Sequence, residues 1–158
     1  MQLVASLTSA LDLTTVEAPM SIGRQINFAD GAGAGQANLI WTDTRTVGPS
    51  ATDSIDLAGS LTSALGGPIT FARIKGLIVA TPLVNVTNVS ISRGATNGVP
   101  LFSAVSTSIA VKPGGVFLWM DPSAAGVVVT PATGDLIDMV NSGASPATYD
   151  IAIIGAAS

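Results

Sequence analysis

Asp53 and Asp56, and again Asp135 and Asp138, stand three residues apart. Paired carboxylates run general acid–base chemistry when they converge and their pKa values are driven apart. This spacing works against that, because residues i and i+3 of a strand point to opposite faces. Asp135 falls in a turn and Asp138 on an outward strand position, so solvated side chains are expected rather than a dyad. A loop aspartate could make only a weak calcium site here, since no repeated Asp/Asn loop supplies the several oxygens calcium needs. Lysine-assisted serine chemistry fails on spacing, because neither Lys75 nor Lys112 has a serine three residues before it. "GAGAG" (Gly31–Gly35) suggests a phosphate loop, but Gln36 or Asn38 stands where the third glycine of a dinucleotide fingerprint belongs. No lysine follows at nucleotide-loop spacing either. The segment is expected to be a flexible loop. Trp41, Trp119 and Tyr149 could stack on sugars, although with aromatics at 4% of the chain, anchoring a core or an interface is the better use. Trp119 is expected in the core and Trp41, just before the polar "TDTRT", at a subunit contact. No catalytic, cofactor-binding or metal-ligating residue is therefore assigned.

The composition narrows the classes further. The chain has 158 residues with no cysteine and no histidine. Disulfide frameworks, cysteine nucleophiles, Ser-His-Asp triads and ordinary zinc sites are thus excluded within one chain. Charged residues make up 10% of the chain and the mean hydropathy is +0.57. Ser, Thr, Gly, Asn and Ala must then cover much of the surface, and part of that surface is expected to be hidden in an assembly. A net charge of −4, with six scattered Lys and Arg, gives no footprint for nucleic acid. No apolar run reaches the roughly 18 residues of a spanning helix. The first basic residue is Arg24, so no signal-peptide flank precedes it. Neither a membrane nor secretion is expected, and two glycosylation sequons at Asn85 and Asn88 are given no weight.

The pattern along the chain is that of short strands between turns. Ile109 and Val111 alternate with polar or small neighbours. In "KPGG", Pro113 suits position i+1 and Gly114 position i+2 of a type II turn. "VFLWM" (Val116–Met120) reads as a strand buried on both faces. "DPSAAG" and "PATGD" are turns flanking Val127–Thr130, and Leu136–Val140 is a further strand. In the last strand Tyr149, Ile151 and Ile153 oppose Thr148, Asp150 and Ala152. Ile69–Ala80 contains a strand with Arg73 and Lys75 at its wetter part. The apolar phase slips between Val84–Val86 and Val89–Ile91, which requires a bulge or turn at Thr87–Asn88. Asn38–Thr44 is a strand. These elements predict an all-β antiparallel sandwich, jelly-roll-like, over 29–158, preceded by an arm or outer strands over 1–28. "SLTSAL" occurs at Ser6–Leu11 and at Ser60–Leu65. The first copy favours an extended edge strand, with a short helix as the alternative. In the second, Ser60 can cap and Gly66 can end a short helical turn near 60–65.

Two blocks carry a resemblance: "ANLIWTDTRTVGPSATDSIDLAGSLTSALGGPITFARIKGLIV" (Ala37–Val79) and "VKPGGVFLWMDPSAAGVVVTPATGDLIDMVNSGASPATYDIAIIG" (Val111–Gly155). Together they cover more than half of the chain and resemble small virion structural proteins of tailed bacteriophages, of the head decoration or cement type. The resemblance implies a β-sandwich without catalytic residues. It implies a protein made in the host bacterial cytoplasm that binds the major capsid protein on the outer surface of the head, commonly as a homotrimer. The alternative is a tail- or spike-associated sandwich that adsorbs to host glycans through Trp41 or Tyr149. A histidine-free hydrolase is a third reading.

Overall fold

The computed structural model describes residues 2–10, 15–59, 61–63 and 66–157. Eight strands build an antiparallel sandwich: β3 (Leu39–Val47), β4 (Ala51–Asp56), β7 (Arg73–Ala80), β8 (Val89–Ser92), β9 (Ser108–Val111), β10 (Val116–Met120), β12 (Leu136–Asn141) and β13 (Ala147–Ala156). One sheet has the order β10-β7-β13-β3, with the short β11 (Val127–Val128) also pairing with β7. The other has the order β4-β12-β8-β9. Numbered in chain order, these eight strands alternate between the sheets except at the β8–β9 hairpin, which is jelly-roll connectivity. Two further hairpins stand outside the sandwich sheets: β1 (Gln2–Ala10) with β2 (Thr15–Gly23), and β5 (Leu61–Thr62) with β6 (Pro68–Ile69).

Period-2 patterning places the core. On β13, Tyr149, Ile151 and Ile153 are buried and meet Leu77 and Val79 of β7 and Trp41 of β3. Ile55, Val89, Ile91, Ile137 and Met139 close the core from the opposite sheet. The expectation for Trp41 is overturned, whereas Trp119 does pack against the core, though partly exposed. Trp41 is 5% exposed, because it shares the inward phase of β3 and pairs with Ile153. Trp119 is only half-buried, because β10 is an edge strand. For the same reason "VFLWM" is not buried on both faces, and Val116 is exposed.

Several turns follow their chemistry. Gly114 has φ 76°, and Gly115 N donates to Lys112 O at 2.7 Å, the type II closure that "KPGG" implies. Gly126, at φ 56°, lies against Ile74 O, where even a methyl group would collide. Val84 and Val86 belong to no strand: the phase slip is the 81–88 loop, and β8 starts at Val89.

No helix occurs among the described residues. In the second "SLTSAL", Leu61 and Thr62 are extended and pair with Ile69 and Pro68, which corrects the expected helical turn. Ser63 N donates to Gly67 O at 2.7 Å and Gly66 N to Ser63 O at 2.9 Å, with Gly66 at φ 87°. The glycine pair thus closes a β-hairpin and leaves no helix to cap. Ser60, Ala64 and Leu65 lie outside the described residues. The first copy is extended as far as Ala10, and Leu11 lies outside them.

Candidate interaction surfaces

The four paired aspartates do not converge. Asp53, on β4, reaches across to the other sheet. Arg45 of β3 grips it through Nε at 2.6 Å and Nη2 at 2.7 Å, and the Tyr149 hydroxyl of β13 donates to it at 2.7 Å. The Arg45 guanidinium hydrogen bonds hold the Asp53 carboxyl below its ordinary range, although burial acts in the opposite direction. Burial raises the Tyr149 phenol, and the Asp53 hydrogen bond and charge raise it further, so it stays a protonated donor. Asp56 Oδ1 accepts from Ala58 N at 2.9 Å. Asp135 is buried and accepts from Ala132 N at 2.6 Å, which supports Ala132 at φ 62°. Asp138 accepts from the hydroxyl of Ser54, its register partner on β4, at 2.6 Å. The four carboxylates therefore fasten sheets and turns. Among the described residues no three acidic, His or Cys side chains are grouped to hold a metal ion.

Lys75, expected at a wet position, is fully buried. Its ammonium donates to Ala32 O at 2.9 Å, Gly33 O at 2.6 Å and Gln36 O at 2.8 Å, using all three of its N–H groups. "GAGAG" thus turns its carbonyls to a cation, where a phosphate loop turns its amides to an anion. Further bonds hold the loop: Ala29 N to Gly35 O at 2.9 Å, Gly35 N to Pro122 O at 2.7 Å, and Gly33 N to the Gln36 side chain at 2.9 Å. The flexible loop that the glycines suggested is instead fastened to β7. The one available signal was Lys75 itself, a charge leading straight into an apolar strand run.

What remains unpartnered is apolar surface. The two outer faces of the sandwich differ sharply. On the β4-β12-β8-β9 sheet the outward rows are Thr52, Val140, Ser90 and Ala110, then Ser54, Asp138, Ser92 and Ser108. That is an ordinary solvated face. On the β3-β13-β7-β10 sheet the corresponding rows are Ile40, Ile154, Gly76 and Met120; Thr42, Ala152, Ile78 and Leu118; and Thr44, Asp150, Ala80 and Val116. Ile40 is 63% exposed, Val116 54% and Ile78 40%. Asp150 is the one charge in these rows, and it accepts from the Thr44 hydroxyl at 2.6 Å.

Two smaller apolar features accompany this face. The 81–88 loop exposes Leu83, Val84 and Val86. Its Asn85 amide fixes it by pairing with both backbone groups of Thr148, at 2.7 and 3.1 Å. On the β1–β2 hairpin, Val4, Met20 and Ile22 are exposed. Neither the apolar sheet face nor the Lys75 cage is legible in the sequence, because both depend on which strands become neighbours. Comparison of the chain with protein-family models, with curated proteins and with solved structures finds no match.

Proposed function

We propose that this chain is a structural virion protein that decorates the outside of a bacteriophage head and stabilises contacts between major capsid subunits. The observation that carries the reading is a low-charge jelly roll with one apolar outer face left uncovered, together with an apolar-bearing hairpin outside its sheets. Monomeric soluble proteins seldom expose large contiguous apolar patches, and such patches mark protein contacts. The jelly roll serves viral capsid proteins and lectins alike, so the fold alone does not choose between them. The phage assignment rests on the resemblance of Ala37–Val79 and Val111–Gly155. A homotrimer, the form that the resemblance implies, would attach through three copies at once, and simultaneous attachment multiplies weak contacts. The glycan-binding alternative loses its residues, since Trp41 and Tyr149 are 5% and 0% exposed and offer no ring face to a sugar.

Purified protein mixed with undecorated heads of its phage should co-sediment with them and delay their disruption by heat. Removing Gln2–Gly23 should weaken head binding by about tenfold or more, equal to 1.4 kcal/mol or more, while the sandwich melts near its original temperature. Failure of the full chain to bind or protect heads, or antibody label on tails alone, would reject the reading.

A further inference from the structure

We propose that the β1–β2 hairpin of one copy lies, apolar side down, on the outer β3-β13-β7-β10 face of a second copy. The hairpin register sorts its residues into two phases. Leu3 pairs with Ile22, Ala5 with Met20, Leu7 with Ala18 and Ser9 with Val16. The alternate pairs are Gln2 with Gly23, Val4 with Ser21, Ser6 with Pro19, Thr8 with Glu17 and Ala10 with Thr15. The first phase holds no charged residue and nearly all the large apolar ones. Among the described residues, β1 and β2 form a sheet only with each other, and every described side chain on them is exposed. A two-stranded hairpin on its own is marginal in water, and this one has an apolar phase that needs a cover.

The receiving face has the matching chemistry in Ile40, Ile154, Met120, Ile78, Leu118 and Val116, while Asp150 on β13 is tied to the Thr44 hydroxyl. Within one chain both surfaces are open at once, with Ile22 61% and Ile78 40% exposed, so the cover comes from another copy. The tether suits an exchanged arm. The hairpin ends at Gly23 and the loop around Lys75 begins at Ala29, so residues 24–28 connect the two and span at most about 17 Å. The areas also favour exchange. Two strands of nine residues present about 300 Å² per face. A reciprocal exchange between two copies buries four such faces, about 1,200 Å² in total, at the threshold of a specific interface. A one-way contact would fall well short.

The inference concerns copies of this chain in solution and stands or falls apart from any capsid. The chain has no cysteine, so introduced thiols report cleanly. Tagged Ile22→Cys protein mixed with untagged Ile78→Cys protein under mild oxidation should give a disulfide heterodimer, and none when Thr52→Cys, exposed on the opposite sheet, takes the place of Ile78→Cys. Sedimentation should show the full chain as an oligomer, and Ile78→Lys should raise its dissociation constant by about tenfold or more while its far-UV circular dichroism stays unchanged. A full chain that is monomeric at 100 μM would overturn the proposal. So would an intrachain disulfide in an Ile22→Cys, Ile78→Cys monomer, which would place the hairpin on its own sheet. An oligomer whose mixed cysteine variants never cross-link would overturn it as well.

Discussion

Replacing Lys75 with methionine is expected to destabilise the domain by about 3 kcal/mol and to lower its melting temperature by about 10 °C. Methionine matches the stem of lysine in length and apolar character, so packing along β7 is largely kept. What is lost is the donor set. Three carbonyls, of Ala32, Gly33 and Gln36, converge on one ammonium with no water-filled space between them and the nitrogen. Without it they face one another unpaired, and each buried acceptor so orphaned costs about 1–3 kcal/mol. The carbonyl-bearing residues are themselves half-buried, so water recovers part of this, and relief from burying a charge recovers more. Urea denaturation measures the net loss. Limited proteolysis supplies the local readout, with cleavage within 30–36 expected to appear in the variant under native conditions. Lys75→Arg should not restore the wild-type value, because a planar guanidinium cannot aim three N–H groups at a pyramid of carbonyls as an ammonium does. A loss below 1 kcal/mol, with the loop still resistant, would mean that the Gln36 and Pro122 bonds hold the segment without the lysine.

The sequence carried the features set by neighbours along the chain. Alternation on β13 gave its buried phase residue by residue, and the Pro–Gly order in "KPGG" gave its turn. Strands recurring between such turns gave the sandwich. It misled where a neighbour in space decides. The polar residues after Trp41 suggested a surface position, but strand phase, set by pairing with Ile153, put the ring in the core. "VFLWM" looked doubly buried, yet an edge strand cannot be, and edge position is a property of the whole sheet order. Glycines at 31, 33 and 35 signalled freedom, whereas a buried cation some forty residues further on removes it. The apolar outer face was hidden for the same reason: Ile40, Ile78, Leu118 and Ile154 become one surface only when four strands from distant parts of the chain lie side by side.

Asp53→Asn should cost about 2–3 kcal/mol at pH 7, and the cost should shrink as the pH falls. Asp53 is the joint between the two sheets, accepting two bonds from Arg45 and one from Tyr149. Asparagine keeps one carbonyl oxygen and turns an NH2 towards either the guanidinium or the phenol, so at least one donor loses its partner. Arg45 is about one-third exposed, which weakens the charge attraction through solvent screening, so the loss comes chiefly from the fixed hydrogen bonds. The pH dependence has a definite sign. Folding lowers the Asp53 pKa below its unfolded value of 3.8, so over the interval between the two the unfolded chain binds more protons. Its contribution is therefore complete above about pH 5 and is lost as pH falls through the folded value. Wild-type and Asp53→Asn stabilities measured by urea denaturation from pH 7 to pH 2 should converge at the acid end. Tyr149→Phe separates the joint's two parts. It removes one donor and leaves the bidentate Arg45 grip, so it should cost about 1 kcal/mol and keep most of the acid slope. A wild-type-to-Asn difference that stays constant down to pH 2 would show that the aspartate acts through its shape rather than its charge. A difference near zero at pH 7 would show that Arg45 and Tyr149 find other partners, and that the core alone joins the sheets.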